Sequence, residues 1–180
     1  NTYKLQLTVL EQEILQFLFI RRGESFTARA LSLALEVSQP GVGKALKKLE
    51  REGYITIIKN KNTKRLSITL DENNQNLEGI KRANNLKQLY ETGCIEKISN
   101  TFPGTVTILF GSYSRGEDTV QSDIDIAIIG VKKKEINLKE FEKKLEREIS
   151  LHFYDSLKKI DKHVRNSILN GIILKGAIEL

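Results

Sequence analysis

The stretch from Leu109 to Ile128 constrains the chain most: Phe110-Gly111-Ser112, then ten residues, then Asp123-Ile124-Asp125-Ile126. On a strand, residues two apart share a face, so Asp123 and Asp125 project from one side while Ile124 and Ile126 enter the other. Two carboxylates held that close repel each other. A divalent cation relieves the repulsion, and hard oxygen ligands suit Mg²⁺ or Mn²⁺. Gly111 and Ser112 follow a short apolar strand, 106–110, and open a short helix, where backbone donors and a hydroxyl suit a phosphate group. The competing reading of the same residues is an ordinary capped turn that holds no metal.

Around this stretch, strands and helices alternate. A strand is expected at 123–129, and a helix at 137–148 with Leu138, Phe141 and Leu145 inward. A strand at 149–154, a helix at 157–169 and a short apolar tail at 172–180 follow. Such alternation predicts a small α/β domain over residues 101–180.

The string resembles the nucleotidyltransferase superfamily related to DNA polymerase beta, in particular its small stand-alone bacterial and archaeal members. Phe110, Gly111, Ser112, Asp123 and Asp125 carry the short motif, with Ile124 and Ile126 beside them, and Arg115-Gly116 and Ser122 agree with the small members. The resemblance extends over about residues 84–180. It implies transfer of a nucleoside monophosphate from a nucleoside triphosphate to a protein or nucleic-acid hydroxyl. Asp123 and Asp125 would be catalytic and hold the metal, Gly111 and Ser112 the phosphates, and Arg115 would offset charge as pyrophosphate departs. Members of the family present a third carboxylate from the next strand. Here that position is Ser150, which carries no charge, and its face-mates Glu148 and His152 are the candidates to replace it; imidazole titrates near neutrality. Two outcomes stay open: an active transferase, or a catalytically silent, transcription-regulating or antitoxin-type protein with a toxin-like partner. An RNA-tailing enzyme would need more substrate-binding surface than residues 101–180 provide.

The first seventy residues have a different pattern. Leu10, Ile14, Phe17 and Leu18 make a helical stripe over 8–21, and a second short helix after Thr27 is expected to bury Ala30, Leu31 and Ala34. Ser38 is placed to cap a third helix, with Pro40 in its first turn. That helix buries Val42, Ala45, Leu46 and Leu49 and presents Gln39, Lys44, Lys47, Lys48 and Arg51 on its other surface, until Gly53 stops it. Residues 54–59 and 66–70 then read as a hairpin with a basic tip at Lys61, Lys64 and Arg65.

Three helices and a hairpin lay out a winged helix-turn-helix, and residues 8–70 resemble bacterial and archaeal winged-helix transcription regulators, most clearly over 37–55. The resemblance implies double-stranded DNA as partner. The third helix would enter the major groove, with Ser38 and Gln39 at its start and Gln39 and Lys44 near base edges. Lys47, Lys48 and Arg51 would meet phosphates, and Lys61, Lys64 and Arg65 the flanking backbone or minor groove. A protein-binding winged helix with merely solvated lysines is the alternative.

The whole reads as an α+β chain: a winged helix-turn-helix over 1–72, a connecting helical segment over 73–100 that breaks at Gly93, and a minimal nucleotidyltransferase-like domain with a small mixed sheet over 101–180. Charge follows that division. Residues 1–70 hold 12 basic and 6 acidic residues, 71–100 hold 4 and 5, and 101–180 hold 13 and 12. The surplus is thus concentrated where an anionic partner is expected. Cys94 is the single cysteine, which excludes an intramolecular disulfide framework. Without a membrane-length apolar run or secretory signal, a cytoplasmic location is expected, and two small domains favour a homodimer. The missing initiator methionine suggests residues upstream of Asn1.

Overall fold

A computed structural model of the chain describes residues 7–59 and 65–178. The chain divides into two compact units, Asn1–Leu77 and Glu78–Leu180.

In the first unit, α1 (Val9–Ile20) starts at a capping box: the Thr8 hydroxyl accepts from the Glu11 amide, and the Glu11 carboxylate accepts from the Thr8 amide at 2.7 Å. Thr27 caps α2 (Ala28–Ala34), and Ser38 caps α3 (Gln39–Arg51), whose Pro40 lies in the first turn, where its missing donor costs nothing. Two strands, β1 (Ile55–Lys59) and β2 (Leu66–Leu70), pair antiparallel. Phe26 adds a third rung by exchanging both backbone hydrogen bonds with Ile68. Ile14, Leu18, Leu31, Val42, Leu46, Leu49, Ile55 and Ile68 close the core. One expectation fails here. Ala34 is exposed, Ala30 only half-buried and Ser32 buried, because α2 is only two turns long and turns Leu31 and Ser32 inward.

The second unit opens with the part of α4 (Leu77–Glu91) from Glu78 onward, followed by α5 (Cys94–Thr101). Gly93, at φ 79°, makes the break between them, a conformation glycine enters without a Cβ penalty. Then come β3 (Val106–Phe110), α6 (Gly111–Arg115), β4 (Ile124–Ile129), α7 (Lys139–Leu145), β5 (Ile149–Tyr154), α8 (Lys162–Leu169) and β6 (Ile172–Lys175). The sheet order is β5-β4-β3-β6; β4 and β5 are parallel, and the other pairs antiparallel. Leu109, Ile124, Ile126 and Ile128 face a core built with Leu89, Cys94, Ile95 and Ile98 of α4 and α5. The opposite face carries Ile108, Phe110, Ala127 and Ile129 against Ile160 and Ile168. Helical residues 78–100 are therefore part of this unit's core.

Three elements differ from the sequence expectation. The helix expected over 137–148 is α7 alone, with Leu138 buried at its cap. The helix expected over 157–169 is a 3₁₀ turn, Leu157–Lys159, and a separate α8, because the Asp161 carboxylate accepts from the His163 amide and begins a new helix. The apolar tail contains a fourth strand, β6, whose Ile172 and Ile173 pair with Leu109 and Ile108.

Candidate nucleotide and nucleic-acid sites

The alternation that separates apolar from polar residues on β4 also places the acids. Asp125 shares the Phe110 face of the sheet and is the register partner of Phe110, and Asp123 immediately precedes the strand. Gly111, at φ 73°, turns the chain from β3 into α6 directly over Asp125: a Cβ at this position would lie 2.6 Å from Asp125 Oδ2. Ser112 is half-buried beside it. The phosphate-type turn and one carboxylate of the pair therefore touch, although 14 positions separate them in sequence.

Parallel pairing of β4 and β5 brings the third group in. Asp125 pairs in register with Ser150 and Ala127 with His152. Ser150 Oγ donates to Asp123 Oδ2 at 3.4 Å, and His152 Nε2 stands 2.9 Å from Asp125 Oδ1. The His152 ring also meets the Phe110 ring edge-on, with centroids 5.2 Å apart. Glu148 spends its carbonyl on the Ile124 amide at 2.8 Å, and its exposed side chain borders a hollow shared with Ser122, Asp123, Glu142 and Arg147. Arg115 is exposed and its Nε donates to Glu117 at 2.7 Å.

The oxygen donors suit a hard divalent cation in kind: two carboxylates at one strand start and the Ser150 hydroxyl beside them. Among the described residues no three His, Cys, Asp or Glu side chains already form a metal cage, so phosphate oxygens would have to complete the shell. Cys94 takes no part. Burial, with Glu142 adding to it, pushes its thiol up to about 12, as befits a core side chain.

In the first unit, Gln39, Lys44, Lys47 and Arg51 are exposed on α3, and the Ser38 hydroxyl is engaged by the Gly41 amide at 3.3 Å. Lys48 is half-buried at the flank, and its Nζ donates to Glu11 at 2.8 Å. Burial raises the Glu11 carboxyl, but Lys48 and the Thr8 amide outweigh it and hold the group below its ordinary value. Glu11, Lys44, Lys47, Lys48 and Arg51 line one shallow basic hollow. Arg51 also donates to Glu52 at 3.1 Å, Arg65 is exposed, and Lys61 and Lys64 lie outside the described residues. The Glu11–Lys48 pair and the Phe26 rung were missed by sequence reading. A glutamate three residues after Thr8 signals the capping box but not its second partner Lys48, 37 residues on, and nothing local announces the Phe26 rung.

No helix among the described residues is long and apolar enough to cross a membrane. Residues 92–175 match the nucleotidyltransferase domain family, and residues 5–66 match the MarR family. No curated protein matches the chain. Among solved structures, a mutant of Lactococcus lactis ZitR is 22% identical with a TM-score of 0.42, covering 56% of this chain and 66% of its own. The adhesin competence repressor AdcR of Streptococcus pyogenes is 20% identical with a TM-score of 0.43, covering 58% and 72%. A mutant of MepR from S. aureus is 21% identical with a TM-score of 0.39, covering 53% and 75%. The chain thus spans just under two thirds of the ZitR structure, and likenesses this low carry no functional inference. The two domain matches carry more: residues 5–66 form a MarR-family winged-helix domain and residues 92–175 a nucleotidyltransferase domain.

Proposed function

We propose that the protein binds duplex DNA as a homodimer through α3 and that its second unit binds a nucleoside triphosphate with Mg²⁺ or Mn²⁺, transferring the nucleoside monophosphate to a hydroxyl. The observation that carries the second part is the contact of the Gly111 turn with Asp125, next to Asp123. In the transfer, an acceptor oxygen bonds to the α-phosphorus, the bond to pyrophosphate breaks, and the hydroxyl proton passes to a base. Asp123 and Asp125 would hold the cation, which when bound supplies charge neutralisation at the phosphates. Gly111 and Ser112 offer backbone donors and a hydroxyl to the phosphates, and Arg115, exposed and paired with Glu117, offers a cation to the leaving group. His152, beside Asp125, is the nearest imidazole able to take the proton.

A second reading rests on Ser150. It occupies the strand position directly paired with Asp125, where the family presents an acid, and so favours a nucleotide site that binds without turnover and modulates DNA binding. An antitoxin role beside a toxin-like protein partner is compatible with either. Label transfer and pyrophosphate release from the four ribonucleoside triphosphates, with protein and nucleic-acid acceptors, separate the two. Labelled acceptor supports the transferase. Metal-dependent nucleotide binding with no product supports the silent regulator, and nucleotide binding unaffected by Asp123→Asn with Asp125→Asn refutes both.

A further inference from the structure

Behind the candidate site lies a charge cluster that neither proposed chemistry uses. Lys81 on α4 forms an ion pair with Asp118, and these side chains are 0% and 1% exposed. Asn85, one turn further along α4, donates through Nδ2 to Asp118 Oδ1 at 2.7 Å and to the Tyr113 carbonyl at 3.0 Å. Arg147, between α7 and β5, approaches the other Asp118 oxygen at 3.7 Å. Gly116 sits so close to α4 that a Cβ there would collide with the Glu78 carbonyl and lie 2.8 Å from the Arg82 amide.

Two cations and one carboxylate in the interior are a poor way to gain stability. Desolvating ions costs several kcal/mol each, and apolar substitutes of similar volume often fold as well or better. What such a cluster can give is one fixed arrangement, and here it joins the segments that supply the site. Asp118 lies five residues before Asp123, in the connection from α6 to β4. Asn85 grips the α6 backbone just after Gly111 and Ser112, and Arg147 lies three residues before Ser150. The rest of the connection is pinned locally, by the Thr119 amide on Ser122 Oγ at 3.0 Å and the Ser122 amide on the Thr119 carbonyl at 3.1 Å.

We propose that Lys81, Asn85 and Arg147, acting through Asp118, are the positioning residues of the nucleotide site: they fix the connection from Gly116 to Ser122 so that Asp123 stands beside Asp125 and the Gly111 turn. This rests on the nucleotide-binding reading above, and adds to it that the site is set from α4 and not from the sheet alone.

The test uses the full chain with Asp118→Asn, Lys81→Met, both together, and the milder Asn85→Ala, which leaves the ion pair intact. Hydrogen exchange is followed at amides 117–123 and in β3 and β4, and binding of MnCl₂ with α,β-methylene-ATP is followed by calorimetry. Faster exchange confined to 117–123, with binding in the folded variants weaker by roughly ten- to a hundred-fold, is the expected result. The double variant should bind no worse than Asp118→Asn, since that substitution already breaks the Lys81 pair along with the Arg147 contact. Parental affinity in the folded variants overturns the proposal. So does exchange that rises evenly across the unit, which is what a merely stabilising cluster would give. If Asp118→Asn and Lys81→Met do not fold, Asn85→Ala decides alone by the same two readouts. If the parent binds no nucleotide, the nucleotide-site reading fails by itself, and the exchange pattern still decides whether the cluster holds the connection.

Discussion

The carboxylate of Asp125 occupies the space that a side chain at residue 111 would need: a Cβ built on Gly111 lies 2.6 Å from Asp125 Oδ2 and 3.4 Å from its Cγ. Gly111 is thus required twice, by its φ of 73° and by the acid above it. The glycine of the motif is what permits strand, turn and carboxylate to share one corner.

Gly111→Ala is accordingly expected to cost about 1–2 kcal/mol from the left-handed backbone alone. It should also drive the Asp125 carboxylate from its place. Metal-dependent nucleotide binding should then fall more than urea stability does. Binding at the parental level in a folded Gly111→Ala protein would show that the turn and the acid do not form one site.

DNA binding should depend on salt in proportion to the phosphates neutralised. Removing Lys47 or Arg51, both exposed on α3, is expected to lower the slope of log K against log salt by about 0.9 each. Gln39→Ala, at the first position of the helix, should instead shift sequence preference at nearly constant slope. Titrations of a genomic fragment pool at several salt concentrations measure both. Lys48 should contribute less than either, since reaching a phosphate requires leaving Glu11.

That same pair sets an acid limit on the first unit. Glu11 titrates below its ordinary 4.5 when folded, because Lys48 and Thr8 favour its ionised form more than burial disfavours it. A depressed folded pKa gives stability that is present above the unfolded value and lost as pH falls through the folded one. Urea midpoints should therefore drop below about pH 4.5, and Glu11→Gln, which can keep the capping box, should be less stable at pH 7 with a flatter acid limb. Equal acid limbs in the two proteins would contradict the assignment.

Local chemistry made much of the fold legible. Ser38 caps α3 as its place before Pro40 predicts, and the β4 alternation put Asp125 and Ile124 on opposite faces. What stayed hidden depends on partners distant in sequence. β6 reads as a tail because Ile172 and Ile173 become a strand only by pairing with β3, and nothing local marks Lys81 as buried, since its partner Asp118 lies 37 residues away. The candidate site divides the same way: the Gly111–Asp125 spacing is written in one stretch, whereas the His152–Asp125 approach needs the parallel register of β4 and β5.

That register also gives the sharpest test of chemistry. Ser150 is paired with Asp125, and its Oγ reaches Asp123 Oδ2 at 3.4 Å, so an acid placed there would join both carboxylates. Ser150→Asp adds a third negative charge to one corner. Without a cation the like charges should raise a carboxyl pKa and lower thermal stability; with Mg²⁺ or Mn²⁺ and nucleotide present, that deficit should shrink. A correctly placed base is typically worth ~10²–10⁴-fold in rate, so a parent that lacks one can keep binding and show almost no turnover. Comparing parent, Ser150→Asp and His152→Ala for pyrophosphate release and label transfer separates the cases. Transfer gained only in Ser150→Asp means that the nucleotide site has outlived its chemistry. Transfer by the parent that vanishes in His152→Ala means that the imidazole beside Asp125 has taken over from the missing acid. Transfer by the parent that survives His152→Ala leaves Glu148, or the substrate itself, to accept the proton, and Ser150 is then no impediment to catalysis.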